Sequence, residues 1–388
     1  MADIEPRQAA EALIDLAGAK LWQSRVAELQ AMAGRSDRVA KAIAQRHPAE
    51  VALERLRRGL PPGPAERVAG QLAADAVATA RVLSPSGRAR LRTALRTGLA
   101  GEATLGGFMH VFATAARHRT HGYTVTHAGF ADGTPYDLLI RAGAVEAEIA
   151  CDTASAEEGR DVHRGAWIRL VEALDPDLQR WLADHPGRYL LKLTLPQGLR
   201  AEEATLAQLQ DRIRTLLAGQ RRADQDEAAI LRLDPLVLAA AQPEAGGLMG
   251  SLRREFGPEA HLAVMTAGAG VCVLAARAGR EDEVAGAIRR RMAATAPTRF
   301  SGTRPGILAM LVGDTDPAEW RHLRERLELE GAARQFLADP AARHVVAVTC
   351  IARQELLDAE PAADLRFRSP IHPAGRTPAL AAAVLSTV

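Results

Sequence analysis

The sequence predicts an α/β protein whose N-terminal part is helical and whose remainder mixes strands with helices. Residues 6–120 repeat apolar side chains every three or four positions, as in AAEALIDLAGAKLWQSRVAELQAM, which is typical of amphipathic helices. After Gly122 come short runs typical of strands, YTVTHAGF, YDLLIRAG and AVEAEIACDT, separated by turn residues. A chain of 388 residues is long enough for two or three domains. We therefore expect a helical domain over 1–101 and α/β domains over 102–200 and 201–388.

The order of elements in the middle domain follows from local signals. Ser155, with Glu158 three residues later, has the spacing of a capping box, which predicts a helix from there to about Leu174. The run YLLKLTLP after DHPGR predicts one more strand, so residues 103–196 have the order helix, three strands, helix, strand. Residues 202–313 show a similar order of elements. The order alone therefore suggests a second α/β unit of possibly similar topology.

Composition and charge narrow the class of protein. The chain is 47% apolar and 25% charged, and no apolar run reaches the roughly 18 residues that a membrane-spanning helix needs. The start, MADIEPRQAAEALIDLAG, has acids where a signal peptide has basic residues, so we expect a cytoplasmic protein without a membrane partner. Residues 1–121 contain 18 Lys and Arg against 11 Asp and Glu, a net charge of +7. This excess indicates either an anionic partner or a solvated helical surface.

The three cysteines do not form a metal site in the sequence. Each lies inside an apolar, strand-like run, and no two have the spacing of metal ligands; they are Cys151, Cys272 and Cys350. We therefore expect them to be small buried side chains.

The run GYTVTHAGFADGTPYDLLIRAGAVEAEIACDTASAEEGRDVHR resembles the PD-(D/E)XK nuclease superfamily, in particular bacterial restriction-endonuclease-like proteins. The later runs FSGTRPGILAML and HVVAVTC resemble the second half of the same proteins. The resemblance implies a restriction-endonuclease-like αβββαβ core over 102–200. In that superfamily, an Asp at the start of the second core strand and an acid on the third strand bind Mg²⁺, and a Lys two residues later assists the attacking water. The implied positions here are Asp137, Ala150 and Asp152, so two of the three chemical groups are absent.

Neighbouring acids replace the missing groups only in part. Glu148 and Asp152 share one face of the predicted strand but lie about 13 Å apart, which is too far for both to bind one Mg²⁺ ion. An active site would need Asp137 as the metal ligand together with either Glu148 or Asp152. An acid at position 152 would also repel the phosphate. Lys192, on the predicted last core strand, is the lysine that could take the missing role.

The segment GRDVHRG predicts a nucleic-acid contact. Arg160, His163 and Arg164 have the spacing i, i+3, i+4, which would place them on one face of the predicted helix, with Arg160 in its first turn. Guanidinium groups near a helix start suit phosphate oxygens. The alternative is that these cations pair with Glu157, Asp161 or an acid on the strand.

Three functions are compatible with these observations. The first is a catalytically degenerate nuclease-like protein that acts by binding nucleic acid or a protein partner, with no cofactor. The second is a Mg²⁺-dependent DNA endonuclease with a displaced carboxylate, using Asp137, Glu148 and Asp152. The third is a protein-interaction scaffold that binds no nucleic acid. Likeness of fold does not choose among them, because function depends on the site.

Overall fold

The chain divides into two compact units. The computed structural model describes residues 5–236, 247–257, 260–358 and 364–387. The first unit consists of residues 1–156 together with 285–388, and the second of residues 157–284. Both contain helices and a mixed β-sheet, so the α/β class is confirmed. The division differs from the boundaries expected from the sequence, 1–101, 102–200 and 201–388, because the second unit is inserted within the first.

The described residues form the following elements. The helices, in chain order, are α1 (Pro6–Ala17), α2 (Ala19–Ala33), α3 (Asp37–Arg46), α4 (Pro48–Arg57), α5 (Pro64–Val82), α6 (Pro85–Thr97), α7 (Gly106–Thr120), α8 (Ala128–Asp132), α9 (Arg164–Asp184), α10 (Glu203–Ala218), α11 (Gly247–Phe256), α12 (Val284–Arg299), α13 (Pro317–Glu325), α14 (Glu328–Leu337) and α15 (Ala381–Val384). The strands are β1 (Thr124–Thr126), β2 (Leu138–Ala142), β3 (Val145–Ser155), β4 (Arg188–Leu195), β5 (Ala223–Gln225), β6 (Ile230–Pro235), β7 (His261–Ala267), β8 (Gly270–Ala278), β9 (Gly306–Gly313), β10 (Val345–Ala352) and β11 (Leu365–Arg368).

The N-terminal helices share a hydrophobic core with the first sheet. Proline opens α1, α4, α5 and α6, where its missing N–H costs no helical hydrogen bond. The apolar faces of these helices meet in one cluster that includes Leu13, Leu53 and Phe112. Leu311 of β9 and Ile351 of β10 belong to the same cluster. The helical region is therefore part of the first unit.

The first sheet has the strand order β1-β2-β3-β9-β10-β11. Strands β1, β2 and β3 form an antiparallel meander, as the sequence predicted, and Gly143 adopts the positive φ of +60° in the tight turn between β2 and β3. The second half of YTVTHAGF is not strand, because α8 begins at Ala128. Strands β3, β9 and β10 run parallel, and every residue of β9 and β10 is buried. Such continuous burial is typical of central parallel strands.

The strand that completes the meander is β9 and not β4. We expected YLLKLTLP to lie beside β3 because it is the next strand along the chain. Instead, β4 belongs to the second sheet, and α12 with β9 supplies the helix and strand that follow β3. The burial of β4 alternates, which suits a sheet whose two faces differ in their cover. The order helix, three strands, helix, strand is therefore formed by α7, β1–β3, α12 and β9.

Helices cover both faces of the first sheet around β3. Ala147, Ile149 and Cys151 pack with Val111 and Ala115 of α7. Since alternate residues of a strand point to opposite faces, Glu148, Ala150 and Asp152 point away from α7. They face the side on which α12 donates hydrogen bonds to β3.

The second unit has the strand order β5-β6-β4-β8-β7, with β4 parallel to β8. Helices α9 and α10 pack on one face, through Leu170, Ile213 and their neighbours, and α11 packs on the other through Leu252. The chain enters and leaves this unit at one point, where the Glu283 amide donates to the Gly159 carbonyl at 2.7 Å. The suggested repeat over 202–313 is not formed, because its last strand, β9, belongs to the first sheet.

Within the described ranges, the helices are all too short or too polar to cross a lipid bilayer.

Candidate functional site

Asp137 lies where the resemblance requires it, beside position 150. The register pairs Leu138 with Ile149, and the Asp137 amide donates to the Ile149 carbonyl at 2.9 Å, so Asp137 is opposite Ala150 on the neighbouring strand. The Asp137 carboxylate accepts from the Cys151 amide at 2.7 Å and from Arg299 Nη2 at 2.5 Å. A guanidinium group therefore lies against the Asp137 carboxylate and neutralises its charge.

Arg299 also binds the backbone of the segment before β2. Its Nε donates to the Pro135 carbonyl at 2.7 Å, so one guanidinium bridges Pro135 and Asp137. Arg299 is the last residue of α12, and cations at a helix C-terminus are favourable. The segment that leads into β2 is thus attached to the end of α12.

Glu148 is fully buried and is held by the loop that follows α12. Its carboxylate accepts from the Ser301 amide at 2.8 Å and from the Ser301 hydroxyl at 2.5 Å. Arg304 lies 3.5 Å away and donates to Glu146 at 2.7 Å. Because a buried carboxylate needs such partners, Glu148 has a structural role in anchoring this loop.

Asp152 is bound by the side chains of α12. Arg291 donates to both carboxylate oxygens, at 2.7 and 2.8 Å, and the Thr295 hydroxyl donates to one of them. Arg291, Thr295 and Arg299 are spaced by four residues and so form one stripe along the helix. This stripe neutralises Asp152 at one end and Asp137 at the other.

The pKa shifts reflect the same contacts. Burial raises the pKa of Asp137, and the charge of Arg299 opposes this increase. Burial also acts to raise the pKa of Asp152, but the hydrogen bonds from Arg291 and Thr295 outweigh it, so the pKa of Asp152 is lowered. Cys151 is buried on the α7 face of β3, which raises the pKa of its thiol well above the ordinary range. No group here has the environment of an activated nucleophile.

The three acids do not form a metal site. Within the ranges that the structure describes, no three His, Cys, Asp or Glu side chains are grouped closely enough to hold an ion. Position 150, between Glu148 and Asp152, is an alanine, and its side chain offers no ligand. The arrangement can hold α12 against the sheet, but it lacks the paired carboxylates that bind Mg²⁺.

The predicted nucleic-acid residues lie in the second unit and form internal contacts. Helix α9 begins at Arg164, so Arg160 and His163 precede it and the three side chains do not share a helix face. Arg160 is only 3% exposed and pairs with Glu157 at 2.5 Å. Glu157 also accepts from the Arg164 amide at 2.8 Å and lies 3.9 Å from His163. The alternative of internal pairing therefore describes this segment.

The backbone before α9 explains why these cations pair with Glu157. Ala156–Gly159 form a short 3-10 helix, which places Glu157 beside the first amide of α9. The helix that the Ser155 capping box predicted does not begin there, because α9 starts at Arg164; the Ser155 hydroxyl donates to Asp314 at 2.6 Å. Lys192, the candidate catalytic lysine, lies on β4 in the second sheet, 3.3 Å from Asp234.

Helix α6 presents a basic surface that was not predicted from the sequence. Its sequence, PSGRARLRTALRT, contains four arginines and no acid. Leu91 and Leu95 are buried, whereas Arg88, Arg92 and Arg96 are exposed at positions i, i+4 and i+8. We call these three residues the α6 arginine row, and it is about 12 Å long from end to end. The net charge of +7 over residues 1–121 was the available signal for it.

No protein-family model, curated protein or solved structure matches the chain.

Proposed function

We propose that this chain is a catalytically degenerate nuclease-like protein that binds nucleic acid without cleaving it. The observation that carries the proposal is the hydrogen bond from Arg299 to Asp137. In a nuclease of the PD-(D/E)XK type, this carboxylate would share a metal ion with an acid at position 150, which here is alanine. A cation from the protein replaces the charge of the metal but cannot supply an activated water.

The helix stripe on α12 supports the same conclusion. Arg291, Thr295 and Arg299 hold Asp152 and Asp137, and Ser301 holds Glu148. Each acid that the endonuclease alternative requires is thus committed to a contact within the protein. Freeing one of them for a metal would break the hydrogen bonds that join β3 and the start of β2 to α12 and its loop, which is costly.

The α6 arginine row is the surface that supports nucleic-acid binding. Exposed guanidinium groups in a row, without acids on the same helix, attract a polyanion and contact phosphates without reading bases. Within the described parts of the chain, Arg92 and Arg96 have no ion pair. They therefore lose no internal contact when they bind a phosphate.

Incubation of supercoiled plasmid with the purified chain and Mg²⁺ or Mn²⁺ tests the absence of cleavage. We expect no nicking by the wild type, and none by Asp137→Asn. Nicking by the wild type that disappears in Asp137→Asn would contradict the proposal and support the endonuclease with a displaced carboxylate. A purified unrelated protein from the same expression host controls for contaminating nuclease.

Fluorescence anisotropy with a labelled DNA duplex tests binding. We expect Arg92→Ala combined with Arg96→Ala to weaken binding to arbitrary duplexes alike. The slope of log K against log salt should become less negative by about 2, because each phosphate contact contributes roughly −0.9. The control, Arg326→Ala combined with Arg334→Ala, removes the same charge near α14 and should leave the slope unchanged. Absence of wild-type binding at low salt would favour the protein-interaction scaffold.

A further inference from the structure

A cavity of about 350 Å³ lies on the face of the second sheet against which α11 packs. Strands β6, β4 and β8 form its floor, and the C-terminal end of α11 forms a wall. Its polar and aromatic lining consists of Lys192, Thr194, Arg232, Glu255, Phe256 and Arg277. Clefts that bind small molecules have volumes of about 300 to 1,000 Å³, so this cavity is of sufficient size.

The sheet register brings the cations of the floor together. Leu191 and Leu193 pack towards α9, so Lys192 and Thr194 point to the α11 face. Arg232 is directly opposite Lys192 in the antiparallel pairing of β6 and β4. Arg277 is beside Thr194 in the parallel pairing of β4 and β8. Three neighbouring strands therefore each contribute one cation to the same floor.

This arrangement of charge is unfavourable for the sheet alone. Like charges directly opposite each other on paired strands are destabilising. Asp234 is shared by two of the cations, at 3.3 Å from Lys192 and 4.0 Å from Arg232. Among the described residues at the cavity, Lys192, Arg232 and Arg277 face the carboxylates of Asp234 and Glu255, which leaves a positive excess. A bound anion would remove the repulsion.

The wall adds a flat apolar surface. The Lys192 ammonium lies 5.9 Å from the centroid of the Phe256 ring, within the range of a cation–π contact. We propose that the cavity binds a small phosphorylated ligand with a planar ring, of the size of a mononucleotide. The phosphate would contact Lys192, Arg232 and Arg277, and the ring would stack against Phe256. This inference concerns the second unit and is independent of whether the first unit binds or cleaves nucleic acid.

Calorimetric titration with AMP tests the proposal. Lys192→Met keeps the aliphatic part of the side chain but removes the charge, and Arg277→Met does the same on β8. We expect each to weaken AMP binding about tenfold or more, as for the loss of a hydrogen bond to a charged group. The matched control is Arg180→Met on α9, which packs against the opposite face of the sheet. It should change the affinity by less than about twofold.

Two further titrations separate the parts of the ligand. Phe256→Leu should weaken the binding of AMP but not of inorganic phosphate, because only AMP has a ring to stack. Absence of saturable AMP binding to the wild type, or an equal loss in Arg180→Met, would overturn the proposal. Tighter binding of a thymidine oligonucleotide than of AMP, with the same dependence on Lys192 and Arg277, would also overturn it and indicate a polynucleotide. Circular dichroism checks that each variant is folded.

Discussion

The ion pair between Asp137 and Arg299 should contribute measurably to the stability of the first unit, and a double-mutant cycle can isolate this contribution. Two unit charges 4 Å apart attract by about 4 kcal/mol at the effective dielectric of a protein surface. The two side chains are 22% and 30% exposed, so water and salt weaken the attraction, and the desolvation of both groups opposes it. We therefore expect a coupling free energy of about 2 kcal/mol.

The single variants differ in what they leave behind. Arg299→Ala leaves the partly buried Asp137 carboxylate with the Cys151 amide as its remaining donor, and we expect it to cost about 3 kcal/mol. Asp137→Asn should cost about 1 kcal/mol, because the Asn oxygen can still accept from that amide and Arg299 can reach water. The double variant should then cost about 2 kcal/mol, less than the sum of the two.

Hydrogen exchange of the peptide that contains β3, measured by mass spectrometry, reports the stability of the first unit. A measurement on one unit is needed because a protein of two compact units need not unfold in one step. The control is the ion pair between Arg141 of β2 and Glu146 of β3, which joins two strands of the same sheet. Its coupling should be less than about 1 kcal/mol. If the costs of Asp137→Asn and Arg299→Ala simply add, the pair contributes nothing jointly. The reasoning that Asp137 is committed to a structural contact would then be refuted.

Three other predictions follow from burial and charge. Burial acts to raise the pKa of Glu54, but hydrogen bonds to its carboxylate outweigh burial and hold the pKa at about 2. The donors are Arg57, Trp22 and Arg58. The ionised carboxylate therefore stabilises the fold above the ordinary pKa of 4.5, and this effect is lost as the pH falls towards 2. In urea titrations, Glu54→Gln should lower the free energy of unfolding by about 2 kcal/mol at pH 7 and by little near pH 2. Leu138→Ala, at a fully buried position of β2, should lower the free energy of unfolding by about 2 to 5 kcal/mol. Leu60→Ala, at an exposed position, should lower it by less than about 0.5 kcal/mol. Equal losses of stability would contradict the burial of Leu138. Burial raises the thiol pKa of Cys151, Cys272 and Cys350. Ellman's reagent should therefore label none of the three in the folded chain and all of them in denaturant.

The parts of the fold that depend on local sequence could be predicted. Apolar periodicity located the N-terminal helices, and the strand-like runs YDLLIRAG and AVEAEIACDT located the hairpin of β2 and β3. That hairpin is also why Asp137 was expected beside position 150, since an antiparallel register fixes which residues are opposite.

The parts that depend on distant pairing could not be predicted. Strand β9 lies beside β3, but the paired residues Glu148 and Gly306 are separated by the whole second unit. Nothing local distinguishes β4 from β9 as the next partner, apart from the more continuous burial of β9. For the same reason, Arg299 could not be placed beside Asp137. The helix-face prediction for Arg160 and Arg164 was wrong because α9 begins only at Arg164, where the Arg164 amide donates to Glu157.

The insertion of the second unit between β3 and α12 has a consequence for synthesis of the chain on the ribosome. At about 5 to 20 residues per second, β9 emerges roughly 8 to 30 s after β3. Throughout that interval β3 is an edge strand of a nascent sheet, with Ile149, Ala150 and Cys151 in a row and no neighbour on one side. Charged side chains on an edge strand hinder pairing with other chains. Before they meet α12 and its loop, Glu148 and Asp152 are therefore the residues that protect the waiting strand from aggregation.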